Sequence, residues 1–300
     1  MQNEAPSVRA PFLLNGGRSL DSEFRISSGL ITAMTVLFAV CLLLPALYYM
    51  WYVYRKRFNH IALLGGLAAF FLFGFLISQN LLRLAKAASG AGMWSYALLT
   101  AFLAAACDVG GYTLGLWFLK KQHSTIRVPI SFGLGYRLFE MIYLGAMNTV
   151  LRLSMAMTVN REGLQAVLGS VTEEQAPALE LQIRSLAESA PGVYWMSTVD
   201  YICRFVLTVV LVRLIWYAFE GGRKPEDKGL IALSFGIDFL CELMLSLHGA
   251  GASYRLCAAV YYVLVAGAVC LAYTVARQRD DPQQLAADHL KGRTIRRRKY

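Results

Sequence analysis

The chain has 300 residues, of which 57% are hydrophobic and only 16% are charged, with a formal net charge of +10. A soluble domain carries about 25% charged residues. Here the charges are clustered and leave long apolar runs, each sufficient to cross a bilayer, so the composition excludes an ordinary soluble domain.

Seven apolar segments predict an all-α bundle of transmembrane helices. The predicted membrane domain covers 28–275, between a tail at 1–27 and a basic tail at 276–300. In chain order the predicted spans are Ser28–Tyr54, Ile61–Leu82, Trp94–Leu119, Pro129–Met157, Tyr194–Phe219, Gly229–Gly249 and Tyr254–Val275.

Lysine and arginine in the connections predict the orientation. Clusters at 55–57, 120–127 and 223–228, together with the tail at 276–300, fall on one side if there are seven spans. The positive-inside rule then places the N-terminus outside and the C-terminus in the cytoplasm. The net charge is therefore a topology signal; the expected partner is the lipid bilayer, and nucleic acid is not expected.

The connection at 159–193 is longer and contains five glutamates. Thr172 followed by Gln175 fits a capping box that opens a helix. Leu179 and Ile183 then recur at helical spacing. Two interpretations stay open: an amphipathic helix over the outer mouth of the bundle, or a solvated connector.

Eight ionisable residues lie within the predicted spans. Each costs at least about 2.5–3.5 kcal/mol at a helix centre if it is left alone, so these groups must pair with one another or face water. They are Asp108, Arg137, Glu140, Asp200, Arg204, Arg213, Asp238 and Glu242.

Two pairs of these ionisable residues are spaced so that both members lie on one helix face. Arg137 and Glu140 are separated by three residues and can pair. Asp238 and Glu242 are separated by four, but they carry the same charge and need a cation from elsewhere or a proton.

The depth of the charges suggests a shared site. Asp200 and Arg204 are separated by four residues and are expected to pair. Asp108, Glu140, Arg204 and Asp238 all fall near the middle of their spans, which predicts one polar centre inside the bundle. The alternative is that the ion pairs only fix the register of the helices.

Glycines near these charges predict close backbone approach or a broken helical turn. The glycines concerned are Gly133 and Gly135 in one span and Gly110 and Gly111 in another. For Gly65, Gly66 and Gly74 we expect only ordinary helix packing.

Five stretches carry these features in a fixed order: 43–58 (LLPALYYMWYVYRKRF), 107–112 (CDVGGY), 133–140 (GLGYRLFE), 197–212 (STVDYICRFVLTVVLV) and 231–239 (IALSFGIDF). The layout resembles the YhfC family of bacterial intramembrane metalloproteases. The resemblance implies a multi-pass protein of the bacterial cytoplasmic membrane and, in the family, peptide hydrolysis.

The fourth span carries most of the resemblance. The family pattern there is Gly-x-Gly-His-Gly-x-x-Glu, and this chain keeps Gly133, Gly135 and Glu140. Tyr136 stands where the family has histidine, and Arg137 stands where it has glycine.

The third span departs from the family in a similar way. Cys107 replaces the first of two adjacent acids, Asp108 is shorter than the second, and Gly111 replaces an arginine. Gly110 and Tyr112 agree with the family pattern.

Thr208 and Ser234 stand where later spans of the family carry histidine. Zinc hydrolysis needs about three protein ligands and an open position for water, and the sequence contains no HExxH motif. We therefore expect no metal ligands and no cofactor, with zinc only as a lesser alternative. The four histidines lie in connections, in the tail or at a span edge: His60, His123, His248 and His289.

Three functions are compatible with this pattern. The first is a divergent, metal-free relative that binds a transmembrane helix, a peptide or a lipid in its polar site. The second is an active peptidase in which Asp108, Glu140 and Asp238 are catalytic and share a proton; the third is a small transporter. The residues expected to support the polar site are Arg137, Arg204, Asp200, Glu242, Tyr112 and Tyr136.

Overall fold

The structure is a computed structural model and describes residues 24–55, 58–88, 92–120, 127–172, 174–220, 225–249 and 253–279. Of these residues 92% are helical and none is in a strand. Most of the two predicted tails, and the basic residues at 56–57, 121 and 223–224, lie outside the described ranges.

Eleven α-helices and two π-helical stretches follow one another in the described residues. They are α1 (Ser28–Tyr54), α2 (His60–Ala69), π1 (Phe70–Ile77), α3 (Ser78–Ala88), α4 (Met93–Lys120), α5 (Arg127–Phe139), π2 (Glu140–Met147), α6 (Asn148–Glu162), α7 (Leu164–Leu168), α8 (Ala176–Glu188), α9 (Pro191–Glu220), α10 (Pro225–Gly249) and α11 (Tyr254–Arg279).

Seven rods in the described part of the chain are long and apolar enough to cross a membrane, which confirms the predicted spans. Two of them, α2-π1-α3 and α5-π2-α6, pass through a π-helical stretch. The fourth span continues beyond the predicted end at Met157 to Glu162, because its stop signal is Gly163. With φ of 87°, Gly163 adopts the left-handed conformation that favours glycine.

The helix α9 lies at the centre of the bundle. It packs against α1, α4, α5, α10 and α11. In its most apolar window 56% of the residues are buried, against at most 39% in any other span. More of α9 is therefore in contact with other helices than of any other span in the described part of the chain.

Helices α2 and α5 cross at backbone contact. A Cβ added to Gly66 would lie 2.0 Å from the carbonyl oxygen of Phe132, and one added to Gly135 would lie 2.0 Å from that of Leu63. Both glycines are therefore required at this crossing, and the expectation of ordinary packing for Gly66 was wrong.

Two other glycines predicted for close backbone approach do not lie at such a contact. A Cβ at Gly110 would meet nothing within 4 Å, so this glycine brings no helix close. At Gly133 the nearest atom would be the Cα of Val209 at 3.6 Å, which is ordinary van der Waals contact. Sequence alone could not separate these cases, because the requirement lies in the facing helix.

Helix α8 covers the end of the bundle at which α1 begins. Ile183 and Leu186 are buried, and α8 packs against α6 and α7 and belongs to the same hydrophobic cluster as residues of α1 and the start of α9. The predicted capping box was wrong. The carbonyl of Thr172 accepts from the backbone N–H groups of Gln175 and Ala176, and α8 begins at Ala176 without a side-chain cap but with a proline in its first turn, where proline is favoured.

Candidate functional site

Polar and ionisable residues from α4, the α5-π2 junction, α9 and α10 converge inside the bundle. Each of α4, α9 and α10 contributes two residues separated by four positions, which places both on one helix face. The α5-π2 junction contributes three more, with Glu140 at the first position of the wider π-helical turn. The converging residues are Asp108 and Tyr112 from α4, Tyr136, Arg137 and Glu140 from the junction, Arg204 and Thr208 from α9, and Asp238 and Glu242 from α10.

Arg137 lies at the centre of this group. Its Nε donates to Thr208 and its Nη1 donates to Glu140. Its Nη2 donates to Asp108 Oδ2 and to the hydroxyl of Tyr112, both at 3.3 Å. With 3% of its side chain exposed, the guanidinium is buried and has all three nitrogens bonded.

A second guanidinium extends the network toward the surface. Arg204 Nη1 donates to Glu140 Oε1 at 3.3 Å, and Nη2 lies 2.8 Å from Glu242 Oε1. The exposed fraction of the side chain rises from 8% at Glu140 to 27% at Arg204. The site is therefore closed around Arg137 and opens toward Arg204 and Glu242.

Two tyrosines complete the polar network. Tyr136 donates to Asp108 Oδ1 at 2.8 Å, and the hydroxyls of Tyr112 and Thr208 lie 3.2 Å apart. The two rings meet edge to face with centroids 4.6 Å apart. Because both rings are fully buried, their hydroxyls are held rigidly against Asp108 and Thr208.

Asp238 is the acid of this site that lacks a full set of partners. It is 1% exposed, and its Oδ2 has no hydrogen-bond partner among the described residues. An unsatisfied polar group at such depth costs about 1–3 kcal/mol, and more if charged. Of the two α10 acids in this site, Glu242 pairs with a guanidinium, and no cation pairs with Asp238 among the described residues.

Asp200 lies outside this network. Arg204 was expected to pair with it but turns to Glu140 and Glu242 on other elements. Asp200 accepts a hydrogen bond from the hydroxyl of Tyr262 at 3.1 Å on the α11 side. Spacing along one helix could not decide this choice, because better partners come from π2 and α10.

Thr208 belongs to the site, although its side chain type gave no reason to predict it as a site residue. It accepts from Arg137 and bonds to Tyr112, and it is fully buried. The available signal was its position four residues after Arg204, which places both on one face of α9.

The profile of the YhfC intramembrane metalloprotease family matches residues 40–244, more than half of the chain. The chain belongs to the YhfC family. This confirms the resemblance seen in the sequence, and the matched range contains every member of the network around Arg137. No curated protein and no solved structure matches this YhfC-family chain.

The family description implies a metal, but the donors in this YhfC-family protein do not fit one. Within the described ranges, no three His, Cys, Asp or Glu side chains are grouped closely enough to hold a metal ion. Asp108 and Glu140 already bond to the guanidinium of Arg137, which would repel a dication. Tyr136 and Thr208 offer neutral hydroxyls, whereas zinc sites are built from imidazole, thiolate and carboxylate.

The charges of the site do not balance. Arg137 and Arg204 face four carboxylates, those of Asp108, Glu140, Asp238 and Glu242. Three of the four carboxylates bond to a guanidinium, and the fourth is Asp238. The network is thus a nearly complete set of ion pairs with one acceptor left over.

Proposed function

We propose that this YhfC-family membrane protein is a metal-free relative that holds a membrane-embedded partner at its polar site. The observation that carries the proposal is the position of Arg137. Its guanidinium satisfies Asp108 and Glu140 together, which are the acids a hydrolytic centre would need to keep available.

The chemistry of the partner follows from what the site lacks. Asp238 needs a hydrogen-bond donor, and the four carboxylates exceed the two guanidiniums. The site opens where Arg204 and Glu242 are partly exposed. A transmembrane helix or peptide with a basic or donor side chain is the partner that supplies what is missing.

Metal content and proteolysis test the metal-free part of the proposal. The full chain, purified in neutral detergent, is analysed for bound metal and incubated with a helical transmembrane substrate, with and without a chelator. We expect less than stoichiometric zinc and no chelator-sensitive cleavage. Stoichiometric zinc together with cleavage that a chelator stops would overturn the proposal.

Photo-crosslinking tests the partner. A photoreactive residue replaces Cys203, which is half-buried beside Arg204, or Cys270, which is exposed on α11 and serves as the control. We expect a discrete protein adduct at position 203 that Asp238→Asn abolishes. The same adducts at both positions, or adducts that Asp238→Asn leaves unchanged, would contradict a partner at this site.

The free carboxylate oxygen of Asp238 also favours a second candidate, a peptidase that uses acid pairs. In that mechanism Asp108, Glu140 and Asp238 would share protons and activate water. It requires cleavage that persists in chelator and disappears in both Asp238→Asn and Glu140→Gln. Cleavage that survives Glu140→Gln would remove this candidate.

A further inference from the structure

A cavity of about 320 Å³ lies apart from the polar site, between α6, α8 and the start of α9. Its volume is at the lower end of the range for small-molecule sites, roughly 300–1,000 Å³. Met155 and Leu186 form its apolar wall. Its polar lining consists of Arg152, Gln182, Ser185, Ser189 and Tyr194.

Arg152 is the charged group of this cavity. Its Nη1 lies 3.4 Å from the hydroxyl of Tyr194, and no carboxylate pairs with it among the described residues. Arg184, on the neighbouring helix, pairs with Glu180 at 2.7 Å. The guanidinium in the cavity is therefore available to an anion, whereas the one outside it already has a partner.

The cavity lies at the end of the bundle where α9 begins. Tyr194 begins the apolar run of α9, and Trp195 beside it is 45% exposed, as aromatic residues at a membrane interface are. Leu151 and Leu181, next to two lining residues, are 61% and 71% exposed. The entrance thus adjoins surface suited to acyl chains.

We propose that this cavity binds a phosphate group, carried by a lipid headgroup or by a free phosphate ester. A guanidinium offers paired N–H donors that match two phosphate oxygens. Ser185 and Gln182 add neutral donors around it, whereas the hydroxyl of Ser189 already donates to the carbonyl oxygen of Ser185. Because the described lining contains no carboxylate, it presents nothing that would repel the anion, and the apolar wall accommodates the glycerol end of a lipid.

Thermal unfolding of the full chain in a neutral detergent tests the proposal. The protein is titrated with dihexanoylphosphatidic acid, with inorganic phosphate, and with dihexanoylglycerol, which has the same chains but no phosphate. We expect a saturable rise in Tm with the phosphatidic acid, and a half-saturation concentration at least tenfold higher in Arg152→Gln. Arg184→Gln removes the same charge from the neighbouring helix and should leave the half-saturation concentration unchanged.

Comparing the three titrations also identifies the source of the phosphate. A half-saturation concentration for phosphatidic acid well below that for inorganic phosphate assigns the cavity to lipid. Equal half-saturation concentrations assign it to free phosphate. Ser185→Trp, which fills the cavity without changing charge, should abolish either effect. No saturable shift, equal responses to dihexanoylglycerol, or equal weakening by Arg152→Gln and Arg184→Gln would overturn the proposal.

Discussion

Arg204 on α9 donates to Glu140 on π2 across 3.3 Å, and the same carboxylate accepts from Arg137. One acid thus joins two guanidiniums that come from different helices. Removing it leaves both cations less compensated, and Arg137, with 3% of its side chain exposed, lies too deep for water to replace the partner. Breaking a buried pair from one side costs about 3–5 kcal/mol.

Glu140→Gln is therefore expected to lower the free energy of unfolding by about 3–5 kcal/mol. The measurement is reversible unfolding in mixed micelles of the purified protein. The matched control is Glu180→Gln, which breaks a pair with Arg184 whose side chains are 38% and 51% exposed. Exposed pairs contribute less than about 1 kcal/mol, so equal losses for the two variants would refute the central role of Glu140.

The pair Arg137 and Glu140 should also be strongly coupled. Each single change to glutamine leaves its former partner buried and charged, whereas the double change removes both charges together. We expect the double-mutant cycle of Arg137→Gln and Glu140→Gln to give a coupling energy of about 1–3 kcal/mol. Additive losses would show that the two side chains act independently.

Features that depend on a single segment of the sequence could be predicted, whereas features that depend on how two helices face each other could not. The seven spans follow from hydropathy along one segment at a time, and so does the clustering of charges at mid-depth. The pairing of Arg204 does not, because it depends on how α9 is rotated against π2 and α10. Sequence spacing favoured Asp200, and the structure gives Glu140 and Glu242 instead.

The glycines show the same limit. Gly66 and Gly110 both lie inside apolar spans, and nothing in their local sequence separates them. Gly66 faces the carbonyl of Phe132 at backbone contact, whereas Gly110 faces open space. The difference is a property of the facing surface, which a single helix does not encode.

This difference predicts opposite outcomes for two alanine substitutions. Gly66→Ala must push α2 away from α5, so we expect it to lower the free energy of unfolding by at least about 1–3 kcal/mol, the range for an overpacked core. Gly110→Ala meets no atom and gains helix propensity, worth roughly 0.5–1 kcal/mol. Unfolding of the two variants in the same detergent decides the matter, and comparable losses for both would contradict the close crossing.

Asp238→Asn should behave unlike any other change in the polar site. The free carboxylate oxygen makes no hydrogen bond within the described residues, so neutralising it removes no ion pair. It also lowers the repulsion among the four acids. We expect the free energy of unfolding to stay the same or to rise, measured beside Glu140→Gln, while the adduct at position 203 is lost. A loss as large as that of Glu140→Gln would make Asp238 a structural partner.

The orientation inferred from the basic clusters stays a prediction, and two positions at opposite ends of the bundle can test it. Ala178 is exposed on α8, and Arg55 is exposed at the end of α1. With the N-terminus outside, Ala178→Cys should react with a membrane-impermeant maleimide in intact cells, and Arg55→Cys only after permeabilisation. The six native cysteines lie within the spanning helices, so the unsubstituted protein reports the background. The reverse labelling pattern would place α8, and the cavity beside it, on the cytoplasmic side.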